Sequence, residues 1–368
     1  MRIAIMLTSL GVGGAEKQAL AVAERMEKRG HTVTVMVLRP RVAEEWLTSL
    51  EIVHLEIRKS PLSFLAALVP ARRILLEFKP DVVHSHTFHA NIFVRLLKLS
   101  GVKFSAISTI HNVYEGGWLR MLAYRLTDGL SRRTVAVSEA AARRFIQLKA
   151  VPDKKCRVVP NGIDVDEFAP SPERRARMRA ALKVEDNFVW IAVGRIVSAK
   201  DYPNLVRAFN LVAAAEPHSQ LWIAGEMAVG KSARINNVAA GAMSQEVARR
   251  VRWLGLRRDV SDLLDAADGF VLSSAWEGMP LALGEAMAME KPIVATDAGG
   301  VTEMVGNVGT IVPAENHEAL ANAMIATMRK SREERGETGR AARERIRQCF
   351  NIENTIDAWE NLYRELRR

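Results

Sequence analysis

The sequence predicts an α/β protein made of two successive units, each a parallel sheet sandwiched by helices. Three observations carry that expectation. Short apolar runs alternate with amphipathic segments along the chain, the pattern of strand–helix–strand crossovers. At 368 residues the chain is long for one hydrophobic core and comfortable for two. A proline-rich break, Ala169-Pro170-Ser171-Pro172, interrupts the alternation near its middle and places the expected boundary between 1–168 and 169–349.

The elements follow in order. Ile3–Leu7, an unbroken apolar run, reads as the first strand and Glu16–Arg29 as the helix after it. Thr32–Leu38 and Ile52–Ile57 are strands, Leu62–Glu77 a helix, Val82–His84 a short strand, and Ala90–Lys98 a helix. Phe104–Thr109, Arg133–Val137 and Arg157–Val159 complete the strands of the first unit. In the second, strand Phe188–Val193 precedes helix Pro203–Ala215, and strands Gln220–Ala224 and Val251–Leu254 precede helix Val260–Ala266. Strand Gly269–Leu272, helix Pro280–Met289 and strand Pro292–Ala295 follow. Alternation of this kind implies parallel pairing with right-handed crossovers. The last helix, Ile352 to Arg368, carries Ile356, Trp359, Leu362 and Tyr363 at helical spacing and must dock against something apolar.

Composition narrows the class. With 48% hydrophobic and 26% charged residues the chain is an ordinary globular sequence, neither disordered nor membrane-embedded. Cys156 and Cys349 are too few for a disulfide framework and neither sits in a CxxC, which points to a reducing cytoplasm. Met1–Leu7 runs into Gly11-Val12-Gly13-Gly14 without the apolar core of a leader, and Leu62–Ala71 is too short to span a bilayer. The first 170 residues hold 25 of the 52 Lys and Arg against 16 of the 42 Asp and Glu, so nearly all of the +10 net charge sits in the first half. A basic half beside a neutral one suggests a surface for anions. The charge is spread rather than striped and no reading motif accompanies it, so nucleic acid is not the expected partner.

The chemistry gathers at strand ends. Glu277-Gly278-Met279-Pro280-Leu281-Ala282-Leu283-Gly284-Glu285 turns from a buried strand into a helix, leaving backbone N–H groups and the positive helix end at the sheet's carboxyl edge. Two acids beside an anion site suit sugar hydroxyls. Gly194-Arg195-Ile196-Val197-Ser198-Ala199-Lys200 places two cations over the same edge, able to neutralise a diphosphate without a metal. Gly11-Val12-Gly13-Gly14-Ala15-Glu16 lets a backbone approach a ligand, but Glu16 replaces the third glycine of a dinucleotide fingerprint and strand two ends without the ribose-binding acid. His111 follows a strand end. His84, His86 and His89 form H-x-H-x-x-H at another, read as a cleft wall or acceptor contact rather than a metal set. Gly225-Glu226-Met227-Ala228-Val229-Gly230-Lys231-Ser232 fits G-x-x-x-x-G-K-S after a strand and keeps a P-loop nucleotide hydrolase in play. Trp118–Leu126, with Arg120 and Arg125 among apolar residues, fits either an interfacial helix on anionic lipid or a core helix with a solvated basic face.

Taken together these segments resemble the retaining glycosyltransferases of family 4. Glu277/Glu285 resemble the family's E-x7-E motif, Arg195/Lys200 its G-R-x(4)-K signature, and Pro160-Asn161-Gly162-Ile163-Asp164 its segment before the hinge. The resemblance implies the GT-B arrangement: two Rossmann-like domains facing a central cleft. The first would bind acceptor and the second nucleotide-sugar, with helix 350–368 packing back onto the first domain. It implies that Arg195 and Lys200 grip the donor phosphates, Glu285 accepts the ribose hydroxyls and Glu277 orients the sugar, with Gly278, Met279, Pro280 and Leu281 at the helix end. His111 would contact the transferred sugar. Gly13 and Gly14 would sit by the donor phosphate, with Gly225 and Glu226 also on the donor and Leu254, Leu256 and Arg257 near the base. Gly11, His84, His86 and His89 would lie on the acceptor side. The implied activity moves a sugar from a UDP- or GDP-linked donor to a lipid-linked or surface-polysaccharide saccharide, without metal or other cofactor. The enzyme would work in the cytoplasm, at the inner face of the membrane. A sugar-nucleotide epimerase or phosphorylase of the same fold is the nearest rival.

Overall fold

The computed structural model describes residues 1–41, 48–58, 60–184, 186–226, 241 and 243–367. The chain divides into two compact units, Met1–Gly162 with Glu353–Arg368, and Ile163–Ile352.

In the first unit seven described strands form one parallel sheet. They are β1 (Arg2–Leu7), β2 (Thr32–Val37), β3 (Ile52–His54), β4 (Val82–His86), β5 (Ser105–Ile110), β6 (Arg133–Ala136) and β7 (Cys156–Val158). Their spatial order is β3-β2-β1-β4-β5-β6-β7. The winding reverses between β1 and β4, so the loops leaving these two strands part and open a crevice at their carboxyl ends. The residues just after the two strands bridge it: Thr8 Oγ1 lies 2.7 Å from Thr87 Oγ1. Apolar side chains of β1, β2, β4 and β5 pack with Phe93, Val94 and Leu97 on one face. Ile110, Tyr124, Phe145 and Cys156 build a second cluster.

The second unit repeats the plan with β8 (Phe188–Val193), β9 (Ser219–Ala224), β10 (Val251–Gly255), β11 (Gly269–Leu272), β12 (Ile293–Thr296) and β13 (Thr310–Val312). The order is β10-β9-β8-β11-β12-β13, every pair parallel, with its reversal between β8 and β11. Trp190, Phe209, Leu221 and Met324 lie in its core.

Three expectations need correction. Leu62–Glu77 is two helices, Pro61–Ala66 and Leu68–Phe78, because Pro70 has no N–H to donate and its ring crowds the carbonyl four residues back, on Ala66. The unit boundary falls at 162/163 and 352/353 rather than 168/169 and 349/350. Ile163 N donates to Phe350 O at 2.8 Å, Ile352 N to Ile163 O at 3.0 Å, and Arg343 to the carbonyls of Val165 and Phe168, which ties 163–168 to the end of the second unit. Ala169–Pro172 is more than a linker, since Ser171 caps helix Pro172–Ala181 by accepting from Arg174 N.

The final helix, Ile352–Arg367, lies on the first unit with Trp359 and Tyr363 buried. Arg29 meets Glu353 at 2.8 Å, Asp357 at 2.5 Å and Glu360 at 3.0 Å, fixing its start.

Candidate active site

In the second unit the switch point assembles the residues singled out by their motifs. Gly194 leaves β8 with φ +157, and Lys200 closes the short turn Ser198–Lys200 before helix Tyr202–Ala215. From β11, Ser273 Oγ donates to Lys200 O at 2.8 Å and Ala275 N to Ala199 O at 2.8 Å, lacing the two strand-end loops together. Lys200 Nζ consequently lies 2.6 Å from Glu277 Oε1, which also accepts from Ser274 Oγ at 2.7 Å. Glu277 is 8% exposed and Glu285 6%. Arg195, one turn earlier, is exposed. Helix Leu281–Ala288 begins after Pro280 with no side chain capping its first turn, so its leading N–H groups keep their partial positive charge at this edge. Gly278 O accepts from Gly300 N at 3.0 Å, and Met279 and Leu281 are buried.

Gly225 has a packing reason to be glycine. A Cβ there would collide with the Gly194 carbonyl oxygen, and Tyr202 OH donates to that same oxygen at 2.8 Å. Gly225 N donates to Gly255 O at 2.8 Å, and Glu226 O accepts from Ile196 N at 3.0 Å. The rest of the G-x-x-x-x-G-K-S stretch, Met227–Ser232, lies outside the described residues. Leu254 and Leu256 are half-buried at the end of β10, and the Arg257 guanidinium is engaged by Asp259 at 2.7 and 2.5 Å.

The first unit builds a different cluster at the ends of β4 and β5. His86 Nδ1 lies 2.9 Å from His111 Nε2, and the His86 ring stacks on His84 with centroids 4.1 Å apart. His84 is held by Thr109 Oγ1 and Tyr363 OH, each at 2.6 Å, and its ring rests 4.2 Å from that of Trp359. On the other side, His111 N donates to Glu115 Oε1 at 3.1 Å, and Tyr124 OH donates to Glu115 Oε2 at 2.6 Å. Asn91 Nδ2 donates to Tyr124 OH at 2.9 Å, and Arg95 packs its guanidinium 5.0 Å from the Tyr124 ring centre. Burial pushes the Glu115 carboxyl up to about 7 and the His111 imidazole down to about 4. Burial also holds His84 and His86 well below the ordinary histidine range. The three imidazoles are therefore neutral around pH 7.

This corrects one expectation. His84 and His86, 0% and 1% exposed, have no surface with which to touch an acceptor, and they support His111 instead. His89 remains half-exposed beside Phe88. Among the described residues no three His, Cys, Asp or Glu side chains are grouped to hold a metal ion. Gly11 to Gly14 lead into helix Gly14–Lys28, whose N-cap is Gly13; Ser9 Oγ donates to Glu16 Oε1 at 3.3 Å. Sequence reasoning missed Ser274, Tyr202, Glu115, Tyr124 and Asn91. A carboxylate four residues after a singled-out histidine was the one readable signal among them.

Helix Trp118–Thr127 is partly core and partly surface. Met121 and Tyr124 face inward, while Trp118 (72% exposed), Leu119, Leu122 and Leu126 (75%) face out beside Arg125. The outward face is therefore apolar as well as basic. Among the described residues no helix is long and apolar enough to cross a membrane.

The comparisons agree with this architecture. Residues 12–167 match the model of Glycosyltransferase Family 4, and residues 187–330 that of Glycosyl transferases group 1. The chain is 26% identical over 316 residues to the UDP-Gal:alpha-D-GlcNAc-diphosphoundecaprenol alpha-1,3-galactosyltransferase of Escherichia coli, across 81% of this chain and 78% of that one. It is 30% identical over 236 residues to the D-inositol 3-phosphate glycosyltransferase of Mycobacterium bovis, across 63% of this chain and 48% of the relative. Its fold superposes on Anabaena Alr3699/HepE, solved with UDP and glucose, with TM-score 0.89 at 20% identity over 99% of this chain and 100% of that one. Sucrose-phosphate synthase from Thermosynechococcus elongatus gives TM-score 0.85 at 19% identity over 100% and 99%. With two family models spanning most of its length, and with two parallel sheets that superpose on those of solved relatives, the chain belongs to the glycosyltransferases of family 4 and has the GT-B fold.

Proposed function

We propose that the protein is a retaining glycosyltransferase that moves a sugar from a UDP- or GDP-linked donor to a lipid-linked or surface-polysaccharide saccharide. One observation carries the reading. At the second unit's switch point Lys200 and Glu277 form an enclosed ion pair beside exposed Arg195 and an uncapped helix end, a site that pairs cations for phosphate with carboxylates for hydroxyls. In this reading Arg195 and Lys200 carry the diphosphate charge, Glu285 takes the ribose hydroxyls and Glu277 orients the sugar. Gly13, Gly14, Gly225, Glu226 and the 254–257 segment complete the donor side, with Gly11 and His89 toward the acceptor.

Transfer proceeds on one face of the sugar. The anomeric carbon–oxygen bond to the diphosphate breaks as the acceptor oxygen bonds to the same face. The departing diphosphate takes the acceptor proton. Stabilising that leaving group is the task of Arg195, Lys200 and the N–H groups at Leu281, and it needs no metal. The E. coli relative, named for a UDP-sugar donor and an undecaprenol-linked acceptor, supports both substrate classes. The apolar and basic outer face of Trp118–Thr127 supports work at an anionic membrane surface on the cytoplasmic side.

Thermal shift with UDP-, GDP- and ADP-sugars tests the donor, because a ligand that binds the folded state raises its apparent stability. A shift with one nucleotide class, lost in Lys200→Ala, is the expected result; no shift with any of them overturns the donor assignment. Flotation with vesicles containing anionic lipid, weakened by Trp118→Ser with Leu122→Ser, tests the surface. No flotation even at low salt overturns it.

A further inference from the structure

We infer that His86 is a positioning residue that holds His111 in the tautomer with its proton on Nδ1, so that the His111 ring meets the transferred sugar as a hydrogen-bond donor and not as a base. The argument starts from the single contact between the rings, His86 Nδ1 to His111 Nε2 at 2.9 Å. A neutral imidazole carries one N–H and one bare nitrogen, so one ring donates across that contact and the other accepts. Two arrangements satisfy it.

In the first, His111 Nε2 carries the proton and donates. His86 then has its own proton on Nε2. That atom is buried and has no hydrogen-bond partner among the described residues, so the arrangement strands an N–H inside the protein. In the second, His86 Nδ1–H donates, His86 Nε2 is a bare nitrogen, and no proton is stranded. Both make the same bond, but folded proteins leave a buried N–H without a partner more rarely than a buried acceptor. The second arrangement therefore holds. It leaves His111 with Nε2 occupied as acceptor and Nδ1–H free to donate outward.

The surroundings keep the assignment in place. His86 cannot turn, because its ring is packed against His84, which Thr109, Tyr363 and Trp359 fix in turn. The His111 backbone is pinned by Glu115. Burial keeps both rings neutral at pH 7, so neither gains a second proton that would erase the distinction. The consequence for the sugar rests on the proposed function and on the contact between His111 and the transferred sugar that the family resemblance implies. A ring held as a donor aligns a sugar hydroxyl or the ring oxygen and leaves the acceptor's proton to the diphosphate.

Long-range 1H–15N correlation spectra of the full chain at pH 7, without donor, read the tautomer directly, with His111→Asn assigning the signals. The expected result is a proton-bearing Nδ1 and a bare Nε2 on His111, the reverse of the form histidine side chains favour in water. A proton-bearing Nε2 overturns the inference. In His86→Ala, water fills the space and can donate or accept, so His111 should become a tautomeric mixture and kcat should fall about tenfold with KM for the donor moving less. His86→Asn returns an N–H to the position of Nδ1 and should restore both readouts. Wild-type tautomer and kcat in His86→Ala would also overturn the inference. The spectrum needs no substrate, whereas loss of donor binding in Lys200→Ala tests the underlying function, so the two can fail separately.

Discussion

Both units gather polar side chains near the carboxyl ends of their strands, and hold them there by opposite means. In the second unit the joint is ionic: Lys200 on Glu277 at 2.6 Å, with a further cation nearby. In the first it is a chain of hydrogen bonds and stacked rings running from Tyr363 through His84 and His86 to His111 and on to Glu115, Tyr124 and Asn91. The difference teaches what each is suited to carry. An ion pair can be re-partnered by an arriving anion, while a buried hydrogen-bond network resists exchange and fixes geometry.

The largest effect should come from breaking the ionic joint. Lys200→Ala is expected to cost about 2–4 kcal/mol in the transfer barrier, the range for losing one group that stabilises developing charge. Steady-state turnover measures it, and a loss smaller than tenfold would remove Lys200 from the diphosphate site. Next, Tyr124→Phe leaves Glu115 and Asn91 each short of a partner inside the first unit, and urea denaturation should show a loss of about 1–3 kcal/mol. A variant as stable as wild type would mean the network is not what holds His111.

The third test uses pH. Glu115, raised by burial to about 7, binds its proton more readily folded than unfolded, so its contribution is complete below about pH 4.5 and is lost as pH rises toward 7. His111, lowered to about 4, works the other way: its contribution is present above about pH 6.5 and is lost as pH falls toward 4. The two oppose each other over one window. Glu115→Gln should therefore make stability climb more steeply between pH 4.5 and 6.5 than in wild type, by at most about 1.4 kcal/mol per pH unit. Parallel pH profiles would show that Glu115 is ordinary. The smallest effect belongs to Gly11→Ala. Nothing lies within 4 Å of its added methyl, so stability should change by about 0.5 kcal/mol or less, whereas Gly225→Ala should be plainly destabilising in the same assay.

These contrasts track what could be read in advance. Strand–helix alternation predicted two parallel sheets because that pattern is local, and residues such as Lys200 and Glu277 stood out because charge at a strand end has few structural uses. The buried network was not legible. Its members at positions 84, 86, 91, 111, 115, 124 and 363 are scattered along the chain, and nothing in their spacing joins them. The link from Ile163 to Asn351 was hidden for the same reason, which is why the expected boundary slipped to 168. The break at Pro70 was visible and unused: a proline inside an apolar-periodic stretch already argues for two helices.

The first unit is discontinuous, and that orders events during synthesis. A ribosome emits Met1–Gly162, then all of the second unit, and only then Glu353–Arg368, so the earlier-born half waits for its closing piece while the later-born half can finish first. Until Trp359 and Tyr363 emerge, His84 lacks both its aromatic cover and its hydroxyl partner, so the support behind His86 and His111 is the last part of the first unit to close.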